Sequence, residues 1–372
     1  LMSLVIITGS NGLIGSEAVD FFSKKGFDVI GIDNNLRKFF FGKDGSTNWI
    51  KNILKKNKRY KHYKVDIRNY NGLENIFKKV KKDLSLIIHC AAQPSHDYAK
   101  NFPILDFEVN AKGTLNLLEL TKKYTPNSPF IFMSTNKVYG DNPNKLKIIE
   151  KSTRWELSKS NKYFNGIDEN FSLDNCTHSY FGVSKVYADL IVQEYGNNDG
   201  LKTVSFRGGC ITGPNHSGAQ LHGFLSYLVK QSLIEKKYSL IGYKGKQVRD
   251  NIHSYDLINC FWEFFKKPKK GVVYNIGGSN ERSNLEVAKD LITLAGYAGK
   301  ESDMMTFVED RFFNDLRYHI NSDRLFELGW KEEMSWEEGI RITYEWYEKN
   351  THRYGDIENA LVAHPRIGGS AV

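Results

Sequence analysis

The twelve residues LVIITGSNGLIG, positions 4–15, constrain the fold of this chain more than any other stretch. Residues 4–8 are a short apolar run of the kind that forms a buried strand. Gly9, Gly12 and Gly15 follow in G-x-x-G-x-x-G spacing, and IGSEAVDFFSKKG then reads as an amphipathic helix. Glycines at these places permit a tight turn and let the backbone approach a pyrophosphate. The helix N-terminus behind them offers unpaired N–H groups and a positive dipole end. A second apolar run, DVIGID, ends on Asp33, 18 residues after Gly15. A carboxylate there can accept from both hydroxyls of an adenosine ribose and would repel a 2′-phosphate, so NAD is expected over NADP. Arg37 and Lys38 are the contrary charges nearby. Asp66, after a third strand, is placed to meet the adenine.

The rest of the first 210 residues continues the alternation. KHYKVDI, LIIHCAA, FIFMST and TVSFRGG read as strands three to six, with helical segments such as DFEVNAKGTLNLLELTKKY and FGVSKVYADLIVQEYG between them. Short apolar strands alternating with amphipathic helices imply a parallel sheet covered on both faces. The predicted fold class is therefore α/β: a doubly wound parallel Rossmann sheet with a smaller, mixed C-terminal substrate lobe. The expected division is 1–210 for the NAD-binding domain, 211–350 for the lobe, with some strands and helices returning to the large domain, and 351–372 for a tail. In the lobe, YSLIGY and VVYNIGG read as strands, and 284–296 and 335–348 as helices.

Composition narrows the function classes. The net charge is +9, but the lysines are spread over helix faces such as FKKVKKD and FFKKPKK. No basic motif interleaved with aromatics appears, so no nucleic-acid partner is expected. A positive cleft also suits a phosphate-bearing small substrate. No apolar run reaches membrane-spanning length and no secretory signal is seen, so no membrane partner and a cytoplasmic location are expected. The four cysteines, Cys90, Cys176, Cys210 and Cys260, lack paired metal spacing, and no metal is expected.

TGSNGLIG, HCAAQ, NAKGTLNLLE, STNKVYGD and FGVSK together resemble the extended short-chain dehydrogenase/reductase superfamily, in particular its nucleotide-sugar epimerases and dehydratases. AAQPSHDYA, STNKVYGD, TRWE, GIDENFSLD and GKQVRD are similar to its CDP-paratose 2-epimerase (CDP-tyvelose epimerase) branch, and the match runs from residue 4 to about 348. That resemblance implies bound NAD and a nucleotide-diphosphate sugar as substrate, with inversion at C2 by oxidation and re-reduction as the first reading and another nucleotide-sugar epimerase, or a dehydrogenase of such a sugar, as the alternative. It implies polysaccharide biosynthesis as the setting, and a homodimer paired through the helices of residues 104–123 and 179–196, which carry Leu115, Leu118, Val186 and Ile191. The cofactor set it implies is Gly9, Asn11, Gly12, Leu13, Ile14, Gly15, Asp33, Asn34, Asp66, Ile67, Ala91, Ala92, Gln93, Asn110 and Lys185. The substrate set is Ser95, His96, Thr135, Asn136, Asn215, His222, Arg249 and Arg311, the two arginines gripping the diphosphate. Dehydratases of the superfamily carry an acidic pair after the threonine to protonate a leaving hydroxyl. Here Asn136 and Lys137 follow Thr135, which disfavours water elimination.

HSYFGVSK, residues 178–185, departs from the superfamily pattern. A catalytic tyrosine normally stands four residues before the lysine. Lys185 is present, but Phe181 occupies the tyrosine position and has no proton to exchange. Loss of a general base typically costs about 10²–10⁴ in rate. Three readings stand. His96, in QPSHDY, replaces the base, with Thr135 on the sugar hydroxyl. Or a tyrosine was replaced by phenylalanine. Or the chain is a binding protein without turnover. Tyr180 is adjacent to Phe181 but about 100° away around a helix.

Overall fold

The computed structural model describes residues 3–216, 229, 238–308 and 315–351. Its centre is a seven-stranded parallel sheet. In chain order the strands of the whole structure are β1 Leu4–Thr8, β2 Asp28–Ile32, β3 Tyr60–Tyr63, β4 Leu84–His89, β5 Phe130–Thr135, β6 Ile148–Glu150, β7 Trp155–Leu157, β8 Thr203–Gly208, β9 Cys210–Thr212, β10 Tyr238–Ile241, β11 Val248–His253, β12 Val272–Ile276, β13 Asn280–Ser283, β14 Met305–Val308 and β15 Arg317–Tyr318. The large sheet runs β12-β8-β5-β4-β1-β2-β3. The winding reverses between β1 and β4, so a crevice opens at the carboxyl ends of those two strands.

Successive side chains of a strand point to opposite faces, and the core divides accordingly. Val5 and Ile7 pack on one face with Phe22, Ile88, Phe206 and Phe261. Ile6 packs on the other with Ile87, Leu117, Phe132 and Val192. Helix α1 (Leu13–Lys24) and the helix Ser254–Lys266 cover the first face. The second is covered by α4 (Tyr70–Val80), α7 (Gly113–Tyr124) and α8 (Ser179–Asn197); α2 (Leu36–Phe41), α3 (Asn48–Leu54), α5 (His96–Asn101) and α6 (Pro103–Phe107) are shorter pieces between strands.

Three features differ from the sequence reading. The third strand stops at Tyr63, so Val65, Asp66 and Ile67 leave the sheet and line the crevice. The helix expected over 106–124 is interrupted by a π turn at Glu108–Lys112, whose extra residue per turn the apolar spacing does not reveal. The hairpin β6–β7, from within the first 210 residues, lies against the smaller lobe: Trp155 N–H donates to Lys246 O, and the Arg154 guanidinium pairs with Glu281. Conversely, β12, from beyond residue 210, joins the large sheet beside β8.

The smaller lobe is built on β11, antiparallel to β13 and parallel to β15 and β9, with a separate β10–β14 pair. No described helix is long and apolar enough to cross a membrane. His222, Arg311 and all of the expected tail after Thr351 lie outside the described residues.

Candidate active site

One cavity of about 550 Å³ runs from the glycine turn to the smaller lobe. At the turn the three glycines have separate reasons. Gly9 has φ +66°, and a Cβ there would lie 2.8 Å from Ala91 N. A Cβ on Gly15 would lie 2.1 Å from Gly9 O, so glycine lets α1 sit on the turn. Gly12 caps α1 with no side chain on the first N–H groups, which open to the cavity. Leu13, Ile14, Ile67, Ala91 and Ala92 complete the walls of this end.

Asp33 accepts from Asn11 N–H at 3.1 Å and Asn35 N–H at 2.7 Å, one on each carboxylate oxygen. Each oxygen keeps a lone pair for a ribose hydroxyl. Burial raises its pKa, against those backbone donors. Asn34 Nδ2 donates to Asp66 at 2.8 Å. Burial opposes charge on Asp66, but the Arg68 guanidinium outweighs it and holds the carboxyl below its ordinary value. Arg37 also lines this end, its guanidinium 4.5 Å over the Phe41 ring, and burial pushes it down to about 10. An uncapped helix start and a carboxylate with free lone pairs fit a dinucleotide.

Four of the predicted residues support the site from behind rather than line it. Asn11 is buried, its amide oxygen accepting from Tyr60 OH at 3.2 Å. Asn110, in the π turn, accepts from Gln93 N–H at 2.9 Å and donates to Asp106 at 3.0 Å and Ser184 Oγ at 3.1 Å. Gln93 takes the Ser95 N–H on its side-chain oxygen at 2.6 Å, and Ser95 caps α5. The network locks the loop after β4 to α8.

At the far end the cavity brings together His96, Thr135, Asn136, Phe181, Lys185 and Arg249. Lys185 is 4 % exposed; its ammonium donates to Met133 O at 2.9 Å and stands 4.2 Å over the Phe132 ring. Burial pushes its pKa down to about 8, against the pull of Asp189, Cys90 and Asp106. The Phe181 ring meets the His96 ring edge to face, centroids 4.8 Å apart. Thr135 Oγ1 caps the turn after β5 by accepting from Lys137 N–H. The Lys137 ammonium, also in the cavity, pairs with Asp315. Cys90 shares the cavity, and burial pushes its thiol up to about 12.

Tyr180 and Asn215 are not among the lining residues. Tyr180 is 58 % exposed on the outer face of α8. Asn215 sits in a turn with φ +64°, and it is the next residue, His216, that reaches the cavity. Arg282 was not foreseen. It lines the cavity, and the antiparallel register sets it opposite Arg249. The Arg249 guanidinium donates to Val248 O and Asp315 O, and that of Arg282 lies over the Trp336 ring, 3.7 Å from Asp290 and Glu337; two arginines lining one end of a dinucleotide crevice suit a second phosphate-bearing ligand.

Against known proteins, the model of the NAD dependent epimerase/dehydratase family matches residues 5–277. This chain belongs to that family. The NAD dependent epimerase/dehydratase relatives include the CDP-paratose 2-epimerase of Salmonella typhi, 32 % identical over 92 % of this chain and 98 % of that protein. They also include the dTDP-D-glucose 4,6-dehydratase of Dictyostelium discoideum, 31 % identical over 93 % and 82 %. Among solved structures, the dTDP-glucose 4,6-dehydratase of Bacillus anthracis in complex with NAD superposes with a TM-score of 0.75 at 28 % identity, covering 94 % of this chain and 98 % of that one. A Thermotoga maritima UDP-glucose 4-epimerase, at 23 % identity and a TM-score of 0.76, shares the fold.

NAD is the cofactor of this epimerase/dehydratase chain, and Gly9–Gly15 with Asp33 would hold it. When bound, it supplies a hydride acceptor and donor. Among the described residues no cluster could hold a metal ion.

Proposed function

We propose that the chain is an epimerase of a nucleotide-linked hexose that inverts C2 through a transient ketone, with a CDP-sugar as the first candidate substrate. The observation that carries this reading is Asn136–Lys137 beside Thr135 in the cavity. Elimination of water needs an acid for the leaving hydroxyl. The carboxylic acid pair of the dehydratases is replaced by an amide and by Lys137, whose ammonium is committed to Asp315 and is pushed down to about 7 by burial. The similarity to a CDP-paratose 2-epimerase supports the choice of carbon and base.

In this reading Thr135 hydrogen-bonds the sugar hydroxyl and His96, packed on Phe181, takes and returns its proton. Lys185 orients the nicotinamide ribose, and Arg249 with Arg282 grips the diphosphate. A second reading is favoured by Phe181 itself: with no phenol in that place, the chain is an NAD and nucleotide-sugar-binding protein of impaired turnover. Inversion at another carbon, or a dehydrogenase reaction, uses the same groups.

We also propose a homodimer through α6 and α8. Leu118, expected on the outer face, is buried in the core, and Leu115 and Ile191 pack against that core. Val186 is half-buried against another cluster. The exposed apolar residues are instead Ile104 (77 %), Phe107, Tyr180, Val183, Tyr187 and Leu190. They form one face, because Phe107 and Tyr187 meet at 6.1 Å between ring centroids.

The test is to incubate the enzyme with CDP-, UDP- and dTDP-hexoses in D2O and read the products by NMR. Inversion at C2 without deuterium at that carbon is expected. A dehydrated product, or deuterium at the inverted carbon, would refute the reading.

A further inference from the structure

We propose that Ser179 is a positioning residue for His96. It holds the imidazole in the tautomer whose Nδ1–H is donated to the serine oxygen, which leaves the lone pair on Nε2. The proposal deepens the reading of His96 as the base and rests on it for its catalytic consequence.

Three observations carry it. First, Ser179 Oγ lies 2.7 Å from His96 Nδ1, a contact between residues 83 apart that joins the first residue of α5 to the first residue of α8. Second, Ser179 has φ +61°. A non-glycine residue in the left-handed region costs about 1 kcal/mol and persists where its surroundings hold it. Among the described residues, three of the other four non-glycine residues at positive φ are asparagines, which tolerate that region; serine does so less readily. Third, Phe181, two residues on, packs its ring against the same imidazole with the planes 68° apart. One turn of α8 therefore sets both the plane of the ring, through Phe181, and the identity of its protonated nitrogen, through Ser179.

The hydroxyl oxygen also accepts from Gly182 N–H at 3.3 Å. With Gly182 N–H on one lone pair, the other can take His96 Nδ1–H, whereas a serine that donated to Nδ1 would put the imidazole proton on Nε2, and ¹⁵N spectra separate the two. The step then balances. The hydride of the oxidised carbon would be taken up by bound NAD, and the hydroxyl proton goes to Nε2. The resulting imidazolium keeps its Nδ1–H on Ser179. On re-reduction hydride returns to the carbon and the same proton to the oxygen.

The experiment uses the NAD-loaded protein with ¹⁵N-labelled histidine, the His96 signal being assigned by its loss in His96→Gln. The parent should show His96 as the Nδ1–H tautomer. Ser179→Gly removes the hydroxyl and relieves the backbone, so the melting temperature should hold or rise. His96 should then populate both tautomers, and kcat should fall about 10–100-fold with little change in KM, the usual cost of losing such an orienting bond. Ser179→Ala, which keeps the strained backbone, should shift the tautomer in the same way. If His96 keeps its Nδ1–H form in both variants, the proposal is overturned. If His96→Ala turns over normally, the base assignment falls, while the tautomer spectra still decide whether Ser179 sets the proton's place.

Discussion

Lys185→Met should make the protein more stable at pH 7 while abolishing its chemistry. The ammonium is buried, and its pKa falls from 10.5 to about 8, with burial the largest cause. At about 1.36 kcal/mol per pH unit, that gap corresponds to about 3 kcal/mol against the charged form. Methionine has a similar reach and no charge. It forfeits the hydrogen bond to Met133 O, worth about 1 kcal/mol. It also forfeits the cation over Phe132, worth about 0.5–1 kcal/mol. A net gain of about 1–2 kcal/mol at pH 7 remains. The sign of the pH dependence follows from linkage. The folded pKa lies below the unfolded one, so the unfolded chain binds more protons between pH 8 and 10.5. Stability of the parent therefore rises with pH through that window, and the advantage of the variant shrinks. Urea unfolding of both NAD-free proteins at pH 7 and pH 10 measures this, since other titrating groups cancel in the difference. A variant less stable than its parent at pH 7, or a gap that stays constant with pH, would refute the reasoning.

His96→Ala should cost at least about 10²-fold in kcat with NAD affinity intact, whereas Phe181→Tyr should change the rate by less than that; a gain of 10²-fold or more from Phe181→Tyr would show that a tyrosine belongs there. Arg282→Ala should weaken binding of a nucleoside diphosphate by about 10-fold or more, the worth of a charge-assisted hydrogen bond, and leave NAD binding unchanged; titration calorimetry with CDP and with NAD separates the two. Ile104→Asp should convert the proposed dimer to a monomer by light scattering at micromolar concentration, since a charge would enter the apolar face of α6.

What was legible in the sequence is local. The glycine turn, the start of α1 and the acid ending β2 depend on backbone conformation and on spacing within one strand–helix–strand unit, so short-range pattern reveals them. The absence of a phenol at Phe181 and of an acid pair at Asn136–Lys137 is likewise a matter of residue identity at a known offset. The resemblance added Arg249 and Asn110, but not the backbone from which Asn110 acts. Asn110 works from a π turn, and helical spacing cannot register one inserted residue. Tertiary structure alone decided the rest. Arg282 faces Arg249 only because β11 and β13 pair antiparallel in one register, and a shift of one residue would have turned it to the other side. Ile104 is exposed and Leu118 buried although both are apolar and on neighbouring helical segments, because the sheet covers one side of that layer. His96 meets Ser179 and Phe181 only because β4 and β5 are adjacent, which brings α5 under the start of α8. Spacing along a chain determines which side chains share a face of one element. Which faces meet is settled by packing, and the chemistry proposed here lies where they meet.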